Sequence, residues 1–307
     1  LKNSKLRPNK SLGQHFLYDP AIAARIVDAA ALEPETPVIE LGAGRGILTK
    51  ALAEKQIRLI ALEIDRKLSV ELAAFLHGKK FLKTVSTGGA RKKPAADDIE
   101  DRGSSAVSGG AESPEIINAD FTKLSLTGLL VSRGFEKCVL FGNIPYNLTR
   151  HVLFAFLVDE IEVIDSAYLM LQKEVGDRVA SGPGSRVYGI TSVILQCLYE
   201  IKLVARIAAG SFFPPPKVDS VVLEFVPKKE PLVPVAELGA FIRFVKNVFQ
   251  QRRKTLHNSI KAFYTFTEPM LEELQTATGI SLSERPEALG KEQLLKLFYK
   301  LDEVAKI

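Results

Sequence analysis

The sequence predicts a doubly wound α/β domain, a Rossmann-like parallel sheet covered by helices, followed by a small all-helical domain. Three observations carry this. Short apolar runs alternate with amphipathic segments through the first 229 residues, as strands buried on both faces alternate with covering helices. A glycine-rich turn joins the first clear apolar run to a helical one in "PVIELGAGRGILTKALAE". Beyond "KKEPLVPVAE", which reads as a linker, the spacing is helical to Ile307. The expected domains are therefore 1–229 and 230–307, in a chain of 307 residues whose 46% apolar content can bury a full core. No internal repeat is visible.

In chain order, "DPAIAARIVDAA" reads as an amphipathic helix with Asp19 as N-cap and Pro20 at its first position. "PVIEL", the glycine turn with its helix, and "RLIALEID" then form a βαβ unit, which implies parallel pairing and a right-handed crossover. The pattern breaks between residues 83 and 114, where Gly, Ser, Ala and charge replace large apolar residues. Such a segment cannot offset its ordering entropy and reads as a flexible insertion, and its five basic and five acidic residues from Lys83 to Glu112 cancel. "EIINAD" and "KCVLFGN" are a third and a fourth strand. "RHVLFAFLVD" reads as a helix, "DSAYLMLQKEVGDRV" as strand then helix, and "YGITSVILQCLYEIKLVARI" as a long helix leading into strand. The proline turn of "FFPPPKVDSVVLEFVP" precedes the strand "SVVLEF", which closes the domain in an antiparallel-type hairpin.

Composition narrows the function classes. Cys138 and Cys197 both sit in apolar runs without metal-ligand spacing, which reads as reduced core thiols, with no metal site. No apolar stretch reaches the roughly 18 residues that span a bilayer, and the basic N-terminus lacks a signal-peptide apolar core. A soluble, cytoplasmic protein is expected, with an organellar home left open. The net charge is +5 and the pI about 9.0. Lys2, Lys5, Arg7 and Lys10 crowd the N-terminus, and Arg252, Arg253 and Lys254 are contiguous. Such clusters suit a polyphosphate partner, and each taken alone also suits an ordinary solvated surface.

The chemistry concentrates at strand ends. Gly42, Gly44 and Gly46 follow the first strand in G-x-G-x-G spacing, either to let a ligand approach the backbone or simply to make a tight βα turn. Glu63 ends the next strand, roughly 20 residues on, where a carboxylate accepts from both ribose hydroxyls of an adenosine-bearing cofactor. Asp65 reads as a helix N-cap. Asp120 closes the third strand and suits either an adenine amine or a further N-cap. The turn "GNIPYNLT" follows the fourth strand and must lie along the same edge of the sheet. Either it is a stiff proline turn over a buried tyrosine, or Asn143 and the Ile144 carbonyl accept from a planar exocyclic amine while Tyr146 stacks on its ring.

Together these motifs resemble the KsgA/RsmA family of ribosomal RNA adenine dimethyltransferases over nearly the whole chain. The resemblance rests on "KSLGQHFLYD", "VIELGAGRGILT", "ALEID", "NAD", "FGNIPYNLT", "LQKEVGDRVASGPGSRVYGITSV", "SFFPPPKVDSVV" and "FQQRRKTLHNSI", in the family's order. It implies a class I methyltransferase sheet and an S-adenosylmethionine-dependent enzyme that dimethylates N6 of two adjacent adenines near the 3′ end of small-subunit ribosomal RNA. By position it implies cofactor contacts at His15, Leu17, Gly42, Glu63, Asp120 and Asn143, and target-base groups at Asn143, Tyr146 and Phe212, with Tyr188 near the same pocket. Many members carry Asn in place of His15, a change that a backbone contact survives. The helix bearing Arg252, Arg253 and Lys254 would show guanidinium groups to RNA phosphate. The implied partner is the immature small ribosomal subunit, met as a monomer. An Erm-type enzyme acting on large-subunit ribosomal RNA shares the fold and chemistry; "PPPKVDS" and "QRRKTLHN" favour the small subunit. A DNA adenine methyltransferase would need a DNA-reading helix pair that the tail lacks. A non-catalytic assembly factor would be expected to lose Glu63 or Asn143, and both are present.

Overall fold

Apolar runs bounded by glycine, proline and charge become strands here because both faces of the sheet are covered. The computed structural model describes residues 14–77, 83–84 and 113–305. The basic cluster of Lys2, Lys5, Arg7 and Lys10 and nearly all of the 83–114 insertion lie outside the described residues. The chain begins with β1 (Phe16–Leu17) and α1 (Pro20–Ala29). Asp19 caps α1, its carboxylate accepting the Ala21 N–H at 2.9 Å. There follow β2 (Pro37–Leu41), α2 (Ile47–Ala53), β3 (Arg58–Glu63), α3 (Arg66–His77), β4 (Lys83–Thr84), β5 (Glu115–Asn118), α4 (Leu126–Val131) and β6 (Cys138–Asn143). Next come α5 (Thr149–His151), β7 (Ile164–Gln172), α6 (Lys173–Ala180), α7 (Ile190–Leu198), β8 (Tyr199–Ile207), β9 (Phe212–Phe213) and β10 (Ser220–Pro227). The rest is helical: α8 (Val235–Gln250), α9 (Leu256–Lys261), α10 (Glu268–Thr278) and α11 (Lys291–Ala305).

Among the described residues, eight strands form one sheet in the order β4-β5-β3-β2-β6-β7-β10-β8, and β1 pairs antiparallel with β9 as a separate ribbon. The pairs β2–β3, β2–β6, β3–β5 and β6–β7 are parallel. Their register matters more than their number. Leu41 lies opposite both Leu62 and Gly142, and Glu63 opposite Asn118, so the carboxyl ends of β2, β3, β5 and β6 finish at one edge. Strand order reverses at β2, with β3 on one side and β6 on the other, which is where doubly wound sheets bind ligands.

Packing divides the chain into two compact units, Leu1–Gln172 with Leu203–Glu224, and Lys173–Lys202 with Phe225–Ile307. In the first, Val38, Leu59, Val139 and Phe141 from the sheet meet Ala23, Ile26, Val27, Leu48 and Leu52 from α1 and α2. Each such large side chain contributes about 1.5 to 3 kcal/mol by leaving water. The Phe141 and Tyr168 rings stack at 5.1 Å within it. In the second, α8 buries Leu238, Phe241, Phe244, Val245, Val248 and Phe249 on one face. Phe298 of α11 closes on Phe241 and Phe244 at 5.5 and 5.6 Å. Cys138 and Cys197 are free and buried, and burial pushes both thiols up to about 12, so neither is a ready nucleophile. The expected helix at "RHVLFAFLVD" differs in one respect: after α5 it widens to π spacing over Val152–Phe156. Among the described residues, no helix is long and apolar enough to cross a membrane.

Candidate active site

A cavity of about 200 Å³ opens at the edge where the parallel strands end. Glu63 closes β3 and is 3% exposed. One of its oxygens accepts the Gly44 N–H at 2.6 Å and the other the Asp65 N–H at 2.7 Å, so the glycine turn and the start of the next helix both hold the carboxylate in place. Gly44 can do this because its φ of +56° suits glycine, and because a Cβ there would sit 3.2 Å from the Phe16 ring. Asp65 in turn caps α3 by accepting the Lys67 N–H at 2.9 Å. Burial raises the Glu63 carboxyl above its usual range, and the Asp65 and Gly44 amides offset part of that.

Glu40, which the sequence reading did not single out, is a second carboxylate in the cavity wall. It is 1% exposed, and among the described residues its Oε2 has no hydrogen-bond partner. Burial pushes it up to about 7, the neighbouring Glu63 pushes in the same direction, and polar contact with Thr49 offsets part of this. The signal for it was present: a lone acid inside the otherwise apolar strand "PVIEL".

Asp120 lies two residues beyond β5. Its Oδ1 accepts from the Thr122 N–H at 3.0 Å and the Thr122 hydroxyl at 2.6 Å, capping a 3₁₀ turn, Phe121–Lys123. The N-cap duty and a place in the cavity wall therefore coincide in one side chain.

Asn143 ends β6 and donates from Nδ2 to the His15 carbonyl at 3.1 Å. That bond fixes which half of the amide is which and leaves Oδ1 as an acceptor. The Tyr146 hydroxyl meets the Ser220 hydroxyl at 3.2 Å, and its ring stacks on the His15 imidazole with centroids 5.5 Å apart and planes 26° apart. Burial raises the Tyr146 phenol, so it stays protonated near neutrality. His15, Leu17, Gly42, Glu63, Asp120, Asn143 and Tyr146 all line the one cavity.

Phe212 and Tyr188 are not among the residues that line this cavity, and the basic group differs from its expected place on a helix. Phe212 is 3% exposed in the core cluster with Leu17 and is not part of the cavity wall; the ring that this turn exposes is Phe213, at 56%. Neighbouring residues of a strand face opposite ways, so with Phe212 packed into the Leu17 cluster the Phe213 ring is turned outward. Tyr188 is 1% exposed, lies within the second unit edge-on to Phe249 at 6.1 Å, and is core there. Arg252, Arg253 and Lys254 follow the end of α8 rather than riding on it. The Arg252 guanidinium is engaged by Glu287 and by the Ser185 and Arg186 carbonyls, while Arg253 and Lys254 are exposed.

The cavity suits a cationic ligand with a ribose: a buried carboxyl oxygen with no partner among the described residues favours positive charge beside it, and Glu63 stands at a strand end where ribose hydroxyls are bound in such sheets. Residues 5–303 match the family described as ribosomal RNA adenine dimethylase. Ribosomal RNA small subunit methyltransferase A of Geobacter metallireducens is 36% identical over 97% of this chain and 96% of its own. The protein of the same name from Bacteroides thetaiotaomicron is 34% identical over 98% and 96%. Among solved structures, the 23S rRNA methyltransferase ErmE superposes with a TM-score of 0.66 at 25% identity, over 94% of this chain and 99% of that one. A dimethyladenosine transferase from Plasmodium falciparum shares the fold, with a TM-score of 0.72 at 22% identity over 95% and 98%. The chain belongs to the ribosomal RNA adenine dimethylase family.

Proposed function

We propose that the protein is an S-adenosylmethionine-dependent methyltransferase that dimethylates N6 of two adjacent adenines near the 3′ end of small-subunit ribosomal RNA. Its substrate form is the immature small subunit, which it meets as a monomer in the cytoplasm. The observation that carries this reading is the Asn143 amide, tied by its nitrogen to the His15 carbonyl at the rim of a cavity that also holds Glu63 and Asp120. The cofactor, when bound, supplies an electrophilic methyl group on a cationic sulfur.

The chain's own residues supply position. Glu63 accepts from ribose hydroxyls with the lone pairs that the Gly44 and Asp65 amides leave open, and Gly42 and Leu17 lend backbone and apolar wall. Asp120 accepts from the adenine amine of the cofactor beside the apolar surface of Ile64 and Phe121. Glu40, whose carboxyl burial pushes up to about 7, would be drawn toward its charged form by the cofactor's positive charge. On the substrate side, Asn143 Oδ1 and the Ile144 carbonyl each accept one N–H of the target amine. That draws its lone pair out of conjugation and aims it, so most of the acceleration comes from positioning and fixed dipoles. Tyr146 stacks on the target ring, a contact worth about 1 to 3 kcal/mol, against the few kcal/mol that unstacking the base costs. No strong base is needed, because the methylated amine is acidic enough to give its proton to water. Arg253 and Lys254 meet RNA phosphate.

Asn143→Ala tests this on under-methylated small subunits. The expected result is a loss of about 100-fold in rate, the scale of a misplaced reacting group, with the wild type giving primer-extension stops only on small-subunit RNA. Wild-type rate in the variant would overturn the role of Asn143, and stops on large-subunit RNA would overturn the substrate.

A further inference from the structure

His15 is bound at three points by groups far from it in sequence. Its ring Nδ1 lies 2.7 Å from the Pro214 carbonyl oxygen, which can only accept, so Nδ1 carries the proton. Its own carbonyl accepts from Asn143 Nδ2 at 3.1 Å. Its ring makes an offset stack on one face of Tyr146, with centroids 5.5 Å apart and planes at 26°. The ribbon of β1 and β9 fixes this arrangement, because Phe16 opposite Phe213 brings His15 up against Pro214. The Tyr18 hydroxyl, donating to the Gly210 carbonyl at 2.6 Å, ties down the other end of the same strand. The Tyr146 hydroxyl is paired with the Ser220 hydroxyl at 3.2 Å. A tyrosine gripped at one face and at its hydroxyl has a single face left for a planar partner.

We propose that the His15 imidazole is a positioning residue for base capture: it backs Tyr146 so that the open face of that ring is presented rigidly to the target adenine, while its carbonyl orients the Asn143 amide. The side chain thereby acts on the substrate side of the site, and any cofactor contact of His15 belongs to its backbone. A ring already stacked and hydrogen-bonded loses little conformational freedom when the base arrives, so more of the stacking energy survives as binding. This rests on the reading of Tyr146 as the surface that receives the base.

The test compares wild type, His15→Ala, His15→Phe and Tyr146→Ala. Three readouts are used: steady-state methylation of under-methylated small subunits, calorimetric binding of S-adenosylmethionine, and quenching of 2-aminopurine placed at the target position of an RNA fragment. The expected result for His15→Ala is a fall of at least 10-fold in kcat/KM and loss of most of the quenching, with cofactor Kd within twofold of wild type. His15→Phe keeps a ring against Tyr146 and recovers kcat/KM to within about threefold. Wild-type quenching and rate in His15→Ala overturns the proposal, as does a cofactor Kd that rises in step with the loss, or a Phe variant no better than Ala. Quenching that is equally absent from wild type and Tyr146→Ala sinks the reading of Tyr146 itself, a result separable from failure at His15 alone.

Discussion

A carboxyl group moved from 4.5 to about 7 by folding makes Glu40 an energetic cost to the empty protein. The unfolded chain releases this proton near pH 4.5, whereas the folded chain keeps it until about pH 7. Across that window the unfolded state binds fewer protons, so stability falls as pH rises through it and stays lower above it. At about 1.4 kcal/mol per pH unit, the full effect is on the order of 3 kcal/mol. Glu40→Gln removes the titration while keeping the shape. In urea denaturation without cofactor, the variant is expected to gain about 1 to 3 kcal/mol over wild type at pH 8, with the gain vanishing near pH 4. Its affinity for S-adenosylmethionine should fall at pH 8, where the wild-type carboxylate is free to meet a cation. Equal stability of the two proteins at pH 8 would show that Glu40 is not held in a desolvating site.

Between strand and helix, the glycine turn is where local sequence and packing agree most closely. Gly46 is the N-cap of α2 with φ +73°, and a Cβ at that position would overlap the Leu72 side chain of α3. Gly46→Ala is expected to cost roughly 2 to 4 kcal/mol, combining left-handed strain of about 1 kcal/mol with overpacking of 1 to 3. In a Leu72→Ala background the overlap is gone and the same change should cost only about 1 kcal/mol, a non-additivity that urea titration of the four proteins measures. Equal costs in both backgrounds would mean that α3 does not press on the turn. This turn was legible because its cause is local. The same holds for Asp19 and Asp65 as caps, for Glu63 and Asp120 at strand ends, and for the stiff turn at Asn143 and Tyr146. What a contiguous reading could not see were partners set by the sheet. Asn143 and His15 are 128 residues apart, and Tyr146 and Ser220 are 74 apart. "FFPPP" offers two adjacent rings, and only the packing of β9 into the core cluster around Leu17 says that Phe212 is buried and Phe213 exposed. The strand-and-helix pattern runs unbroken past Gln172, yet Lys173–Lys202 packs with the C-terminal helices.

At the scale of the whole molecule, the charge of +5 says that phosphate is welcome and leaves open which cations meet it. The structure separates three neighbours that look alike in sequence. Arg252 is half-buried, clamped by the Glu287 carboxylate and by two backbone carbonyls within the second unit, so its charge is spent on holding the segment after α8 to the loop before α7. Arg253 and Lys254 are exposed. Arg252→Ala should therefore act on folding: it leaves Glu287 without its guanidinium and is expected to lower stability by about 1 to 3 kcal/mol. Arg253→Ala with Lys254→Ala should leave stability within about 0.5 kcal/mol and act on RNA. Each cation that meets a phosphate contributes about 0.7 to 0.9 to the slope of log affinity against log salt. The double variant should accordingly flatten that slope by between 1 and 2 while weakening binding at low salt for any RNA sequence. Thermal melts paired with filter binding from low to moderate salt check both halves. If the double variant keeps the wild-type slope, RNA is held by another face; if Arg252→Ala flattens the slope with an unchanged melt, its clamp to Glu287 is not what occupies it in solution.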